Sequence, residues 1–419
     1  MTTKRVELHP LTFVQDGDEV VVGRPDIESY AVFPVDGAEL LRRLEGGSSL
    51  DEAAAWSERT SLEPVDVEEF LDTLRDLGFA RDGGEADPVP AGPPDRLGTA
   101  DRPIRWQRFG QAVFSPAAAA GYGLLVLAAI VLAWRWPEVR PTPSHVFFTG
   151  SLVLVQLALV VGELPLIFLH EGAHVLAGRR LGLTSRLGVG RRLYFVVFET
   201  TLTKLLSVPR RKRYLPLAAG MLTDVVVCAA LVLVAVAGRG PDGAVSFLGR
   251  FALGLAYLTI IRIVWQFLFF METDGHHLLA TMLKVTDLHG MTVGYLRRWL
   301  FGRVLRKPER VGPLPYLSEH DRAVLRWFGP LTLIASVLLT ALALATVLPV
   351  LIVYLGKVAA GLVSSGLGVD FWNAVGSLLL GFGQFGVLGA LALRDRRRRR
   401  RAAASTASAA SAAELTVPN

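Results

Sequence analysis

The sequence predicts a polytopic α-helical membrane protein of about six spans with a small α+β, winged-helix-like cytosolic domain at its amino terminus. Three observations lead there. Long apolar runs fall only between residues 115 and 393, each near the ~20 residues that cross a hydrocarbon core. Residues 1–90 hold 8 basic against 21 acidic side chains, whereas the whole chain carries a net charge of +6. An acidic head therefore precedes a basic body. Lys and Arg also cluster in alternate loops, the pattern that orients membrane proteins.

Each element follows in order. Val6 to Val14, Val20 to Gly23 and Tyr30 to Phe33 alternate apolar and polar residues, with Asp16, Gly17 and Asp18 as turn residues between the first two. This predicts antiparallel strands. Asp36 is expected to cap a helix carrying Leu40, Leu41 and Leu44, and Ser49 to cap one over Leu50 to Arg59. A third helix runs from Val65 to Leu77 and stops at Gly78, and Phe79 and Ala80 add a closing strand. Strands, three helices and a strand make a winged-helix-like unit over residues 1–82. Residues 83–114 form a linker, which opens on a stretch containing Pro88, Pro90, Pro93 and Pro94.

Residues 115–393 form the membrane domain, with spans expected over 117–134, 150–169, 215–237, 247–271, 327–355 and 371–393. Basic residues precede the first span (Arg102, Arg105, Arg108), and others separate the second from the third (Arg179 to Arg213) and the fourth from the fifth (Arg297 to Arg310). Arg396 to Arg401 follow the sixth. This distribution puts both termini in the cytoplasm of a multi-pass cell-membrane protein. The first 30 residues lack an apolar core behind a basic start, which agrees. Residues 394–419 are a basic anchor contacting anionic lipid and then an Ala/Ser-rich tail expected to be disordered. The single cysteine, Cys228, excludes an internal disulfide framework and a thiolate metal cluster.

The chemistry concentrates in two places. His170-Glu171-Gly172-Ala173-His174 closes the second span. Histidines four apart share one helix face, so both imidazoles can reach one metal ion, with Glu171 beside them to act on a bound water. Charged and ionisable residues in a span are costly and mark function. A catalytic zinc takes a third protein ligand and keeps an open position. The fourth span ends in Met271-Glu272-Thr273-Asp274-Gly275-His276-His277, which offers Asp274, Glu272, His276 and His277. Asp274 lies at the membrane depth of His170, and Gly275 is expected to let the backbone turn there.

A metal helix at the end of one span, with an Asp-Gly motif two spans later, resembles the site-2 protease family of intramembrane zinc metallopeptidases. The resemblance covers roughly residues 150–285. It implies one zinc ion per chain held by His170, His174 and Asp274, with Glu171 as the base that takes the water proton and passes it to the leaving amine. The family's second motif is typically Asn-Pro-Asp-Gly-like. Here Glu272 and Thr273 stand in place of the Asn and Pro, while the Asp-Gly core matches. His276 and His277 are then left to line the site or orient its ligands.

Downstream, Leu193 to Thr203 is rich in aromatic and β-branched residues, among them Tyr194, Phe195, Val196, Val197 and Phe198. It reads as one or two strands whose edge could hold an extended substrate, or as a plain membrane-associated hairpin. Glu163, Asp224 and Arg262 are charges within spans, and a Glu163–Arg262 pair neutralising both is expected from their depth.

The head, over residues 5–82, resembles the small peptide-recognition domain of pyrroloquinoline quinone biosynthesis protein D. That resemblance implies capture of a precursor or leader peptide as an added edge strand. An acidic head repels phosphate backbones, so no nucleic-acid partner is expected. Together the halves imply a membrane zinc metalloendopeptidase acting on a ribosomally made precursor peptide. The alternative is a catalytically inactive membrane partner for peptide export, immunity or scaffolding, against which the intact Glu171 argues.

Overall fold

The structure, a computed structural model, describes residues 6–81, 104–307, 319–363 and 366–383 and the single positions 386, 389 and 394, apart from positions 18, 25, 28, 61–66, 184, 193–194, 203–204, 269–271 and 286. The Pro-rich part of the linker and the tail beyond Arg394 lie outside the described residues.

The head folds as an antiparallel sheet in the order β1 (Thr12–Asp16), β2 (Glu19–Arg24), β3 (Ser29–Pro34), followed by α1 (Val35–Glu45), α2 (Leu50–Thr60) and α3 (Val67–Asp76). Its core joins Val20, Val22 and Phe33 of the sheet to Leu41, Leu71, Leu74 and Phe79. Ser49 and Glu52 cap α2 reciprocally, each side chain accepting from the other's backbone N–H. Asp36 does not cap α1 as expected. The cap position is Pro34, and Asp36 sits inside the first turn, where its carboxylate accepts from the N–H of Gly37. The closing strand shrinks to one bridge between Leu8 and Ala80. Val21, on the opposite face from Val20 and Val22, is also buried, because β2 lies against the turn Leu205–Ser207 of the helical body.

The last part of the linker is helical. Gln107–Val113 forms a short helix, α4, packed on the helix that carries His170 and His174 so closely that a methyl group at Gly110 would meet the Leu176 carbonyl. Among the described residues five helices are long and apolar enough to cross a membrane: α5 (Pro116–Arg135), α6 (Leu152–Arg180), α7 (Arg210–Ala237), α8 (Phe247–Gln266) and α11 (Glu319–Val363). Between the last two come α9 (Asp274–Leu283) and α10 (Leu288–Arg297). In the region of the sixth expected span, residues 369–383 and positions 386 and 389 are helical, and Asn373 accepts from Ser151 Oγ and the Val153 N–H at the start of α6.

Within the body α7 is central and packs on α5, α6 and α8. Small residues permit the close approach, including Ala229 and Ala235 on α7 and Gly249, Ala252 and Ala256 on α8. The outer face of α5 instead exposes Leu124, Leu127, Ile130 and Trp134, a surface suited to an apolar surrounding. α11 has 45 residues, about 68 Å of helix. It therefore outruns a ~30 Å hydrocarbon core, and its first turns pack through Val324, Leu325 and Phe328 on Leu288 and Met291 of α10.

Candidate metal centre

Helix α6 carries His170 and His174 one turn apart, and both rings are buried. α9 supplies Asp274 from its first residue. His170 Nε2 lies 3.0 Å and His174 Nε2 3.2 Å from Asp274 Oδ2, and the two Nε2 atoms are 3.4 Å apart. Among the described residues these three form a group able to hold a metal ion. Glu272, His276 and His277 stand outside it.

The far side of each imidazole decides what the near side can do. His170 Nδ1 is 2.9 Å from the Asp224 carboxylate, and His174 Nδ1 is 2.7 Å from the Pro216 carbonyl. Both partners are acceptors only, so each Nδ1 carries the proton. In the neutral rings both Nε2 lone pairs then converge on the place that the Asp274 carboxylate also faces. Electron-pair donors this close need a cation or shared protons between them. Ligands ~2.0–2.2 Å from a tetrahedral ion sit roughly 3.3–3.5 Å apart, and the observed spacings agree to a few tenths of an ångström. The donor set therefore fits zinc.

A second feature fits as well. A methyl group added at Gly220 of α7 would collide with Nε2 of both histidines. The bare backbone at Gly220 is what leaves room in front of the rings.

Asp274 is positioned by the end of α8. Thr273 Oγ1 donates to the Gln266 carbonyl at 2.6 Å and accepts from the His276 N–H, while the Asp274 N–H donates to the Gln266 side chain. The expected turn at Gly275 is corrected here. Gly275 lies inside the first turn of α9, and the positive φ falls instead at Glu272, one residue before Thr273, at 23°.

The Asp274 side chain keeps 23% of its surface exposed against 5% and 8% for the two histidines, so the centre opens on the Asp274 side. Glu171 is half-buried on α6. His276 is buried and packs edge-on against His277 and His289. Phe195, Val196, Val197 and Phe198 lie on β5 (Phe195–Leu202), which pairs with β4 (Ser185–Arg192) and runs beside α6. Tyr194 lies outside the described residues. Strand β4 was not read from the sequence, because its Arg and Gly content hides any alternation.

Sequence reasoning also missed Pro216 and Gly220 as parts of the centre. Neither carries a signal, since a carbonyl and an absent side chain act only through proximity. No protein-family model, curated protein or solved structure matches the chain.

Proposed function

We propose that this chain is a membrane-embedded zinc metalloendopeptidase, with His170, His174 and Asp274 as ligands and Glu171 as general base. The observation that carries the reading is the convergence of two Nδ1-pinned imidazoles and one carboxylate oxygen on a single point. Zinc there would acidify a water molecule and polarise a peptide carbonyl. Glu171 takes the water proton and later delivers it to the leaving amine. The half-open Asp274 side gives a peptide access, and β5 beside α6 supports the binding of an extended segment next to the centre.

The head is proposed to capture a precursor or leader peptide. β3 pairs only with β2 among the described residues, which leaves an edge for strand addition. The acidic surface selects against nucleic acid.

Metal analysis of detergent-purified protein tests the centre. Wild type should hold a single zinc, and His170→Ala and Asp274→Ala should lose it. Glu171→Gln should keep the metal and lose at least ~100-fold in cleavage rate, within the range general-base removal costs. A wild type without metal would support the inactive-partner reading instead.

A further inference from the structure

Three charges behind His170 have no part in that chemistry: Glu163 on α6, Asp224 on α7 and Arg262 on α8. Asp224 is completely buried. Its Oδ2 accepts from His170 Nδ1 and, at 3.0 Å, from Arg262 Nε, while its Oδ1 accepts from Arg262 Nη2 at 2.8 Å. Arg262 Nη1 donates to Glu163 Oε2 at 2.7 Å. The expected Glu163–Arg262 pair is thus one link of a longer circuit. It leaves α6 at Glu163, crosses α8 and α7, and returns to α6 at His170, about 10 Å and two turns further on.

Neutralising buried carboxylates requires only a cation. The geometry is more specific than that. Two nitrogens of one guanidinium grip both oxygens of Asp224, which fixes the plane of the carboxylate as well as its charge. A carboxylate held by a point charge could rotate about its Cβ–Cγ bond and release Nδ1. Gripped as it is, Asp224 must present Oδ2 to His170.

We propose that Arg262 is a positioning residue for the metal centre. Its fork locks the Asp224 carboxylate, Asp224 locks the Nδ1–H tautomer and ring orientation of His170, and His170 Nε2 is thereby aimed at the ion. Glu163 holds the guanidinium from behind through one oxygen; its Oε1 is buried and has no hydrogen-bond partner among the described residues. An amide oxygen could do the same, so Glu163 is the replaceable member. The proposal rests on the metal-site reading.

The test compares Co2+ binding to the detergent-purified chain by competition with a chelator and by visible absorption, alongside thermal unfolding of the metal-free protein. Arg262→Lys keeps the positive charge and removes the fork. It should weaken Co2+ binding ~10–100-fold and change the absorption of the bound ion, with an unfolding temperature near wild type. Glu163→Gln should weaken binding only a few-fold. If Arg262→Lys does not fold, Asp224→Asn decides. Its single amide oxygen cannot serve both His170 and the Arg262 fork, so the same loss is expected. Wild-type Co2+ affinity and absorption in a folded Arg262→Lys or Asp224→Asn variant overturn the proposal and leave the metal centre standing. A wild type that binds no Co2+ overturns the metal reading itself, and the positioning role with it.

Discussion

At Gly220 the backbone of α7 passes so near the paired imidazoles that one methyl group would displace both rings. Gly220→Ala therefore sets two effects against each other. Within a helix, alanine is favoured over glycine by roughly 0.5–1 kcal/mol. At this position the added methyl occupies the space in front of the Nε2 atoms. The expected outcome is a protein that still folds and binds at least ~10-fold less zinc, since lost ligand orientation commonly costs that much. Metal content measured beside the unfolding temperature checks it. Retained zinc would mean that α7 can shift outward without loss. Asp224 was visible in the sequence as a charge inside a span, but its role was not, because the sequence does not say which imidazole faces it.

The junction between α8 and α9 decides where the carboxylate sits. Thr273 caps α9 and ties it to the Gln266 carbonyl, and Gln266 in turn takes the Asp274 N–H. Thr273→Val preserves the shape and removes both hydrogen bonds. It should cost about 1 kcal/mol of stability, as lost N-caps do, and lower zinc affinity several-fold by loosening Asp274. Chelator competition and thermal unfolding measure the two separately, and unchanged affinity would assign Asp274 its position by packing alone. In the head, Ser49→Ala breaks a reciprocal cap with Glu52 and should cost about 1 kcal/mol, read as a lower unfolding temperature with the metal content untouched. The α2 cap was legible because Ser-x-x-Glu is a local pattern. The positive φ at Glu272 was not, because a non-glycine residue held there is set by the contacts around it.

On the scale of the whole molecule, the head is docked on the body. Asp16 and Glu19 flank the β1–β2 turn and meet the first turn of α7. Arg210 Nη2 donates to Glu19 at 2.8 Å, Arg213 Nη2 to Asp16 at 3.2 Å, and the Arg210 N–H to Asp16 at 3.1 Å. Arg213 is 5% exposed and is further held by the Leu206 and Val208 carbonyls. Being partly buried, these pairs are screened less by salt than surface pairs are. The double variant Asp16→Asn, Glu19→Gln should release the head. Hydrogen exchange over 205–213 should then rise, while the zinc content stays at the wild-type level. Unchanged exchange would show that apolar contact around Val21 holds the interface unaided. The docking also ties the proposed peptide-capture domain to the helix that carries Pro216, Gly220 and Asp224.

Read without coordinates, the amino-acid sequence already located the long apolar helices, the acidic head, the α2 cap and the residue types of the candidate metal centre. All of these depend on composition or on spacings of a few residues, and local physics fixes them. Packing settled which candidate joins His170 and His174, what pins each Nδ1, why residue 220 has no side chain, and where the head sits. Those features depend on distances between residues 42 to 197 positions apart in the chain. Such distances are set by how α6, α7, α8 and the short α9 pack, which no local pattern encodes.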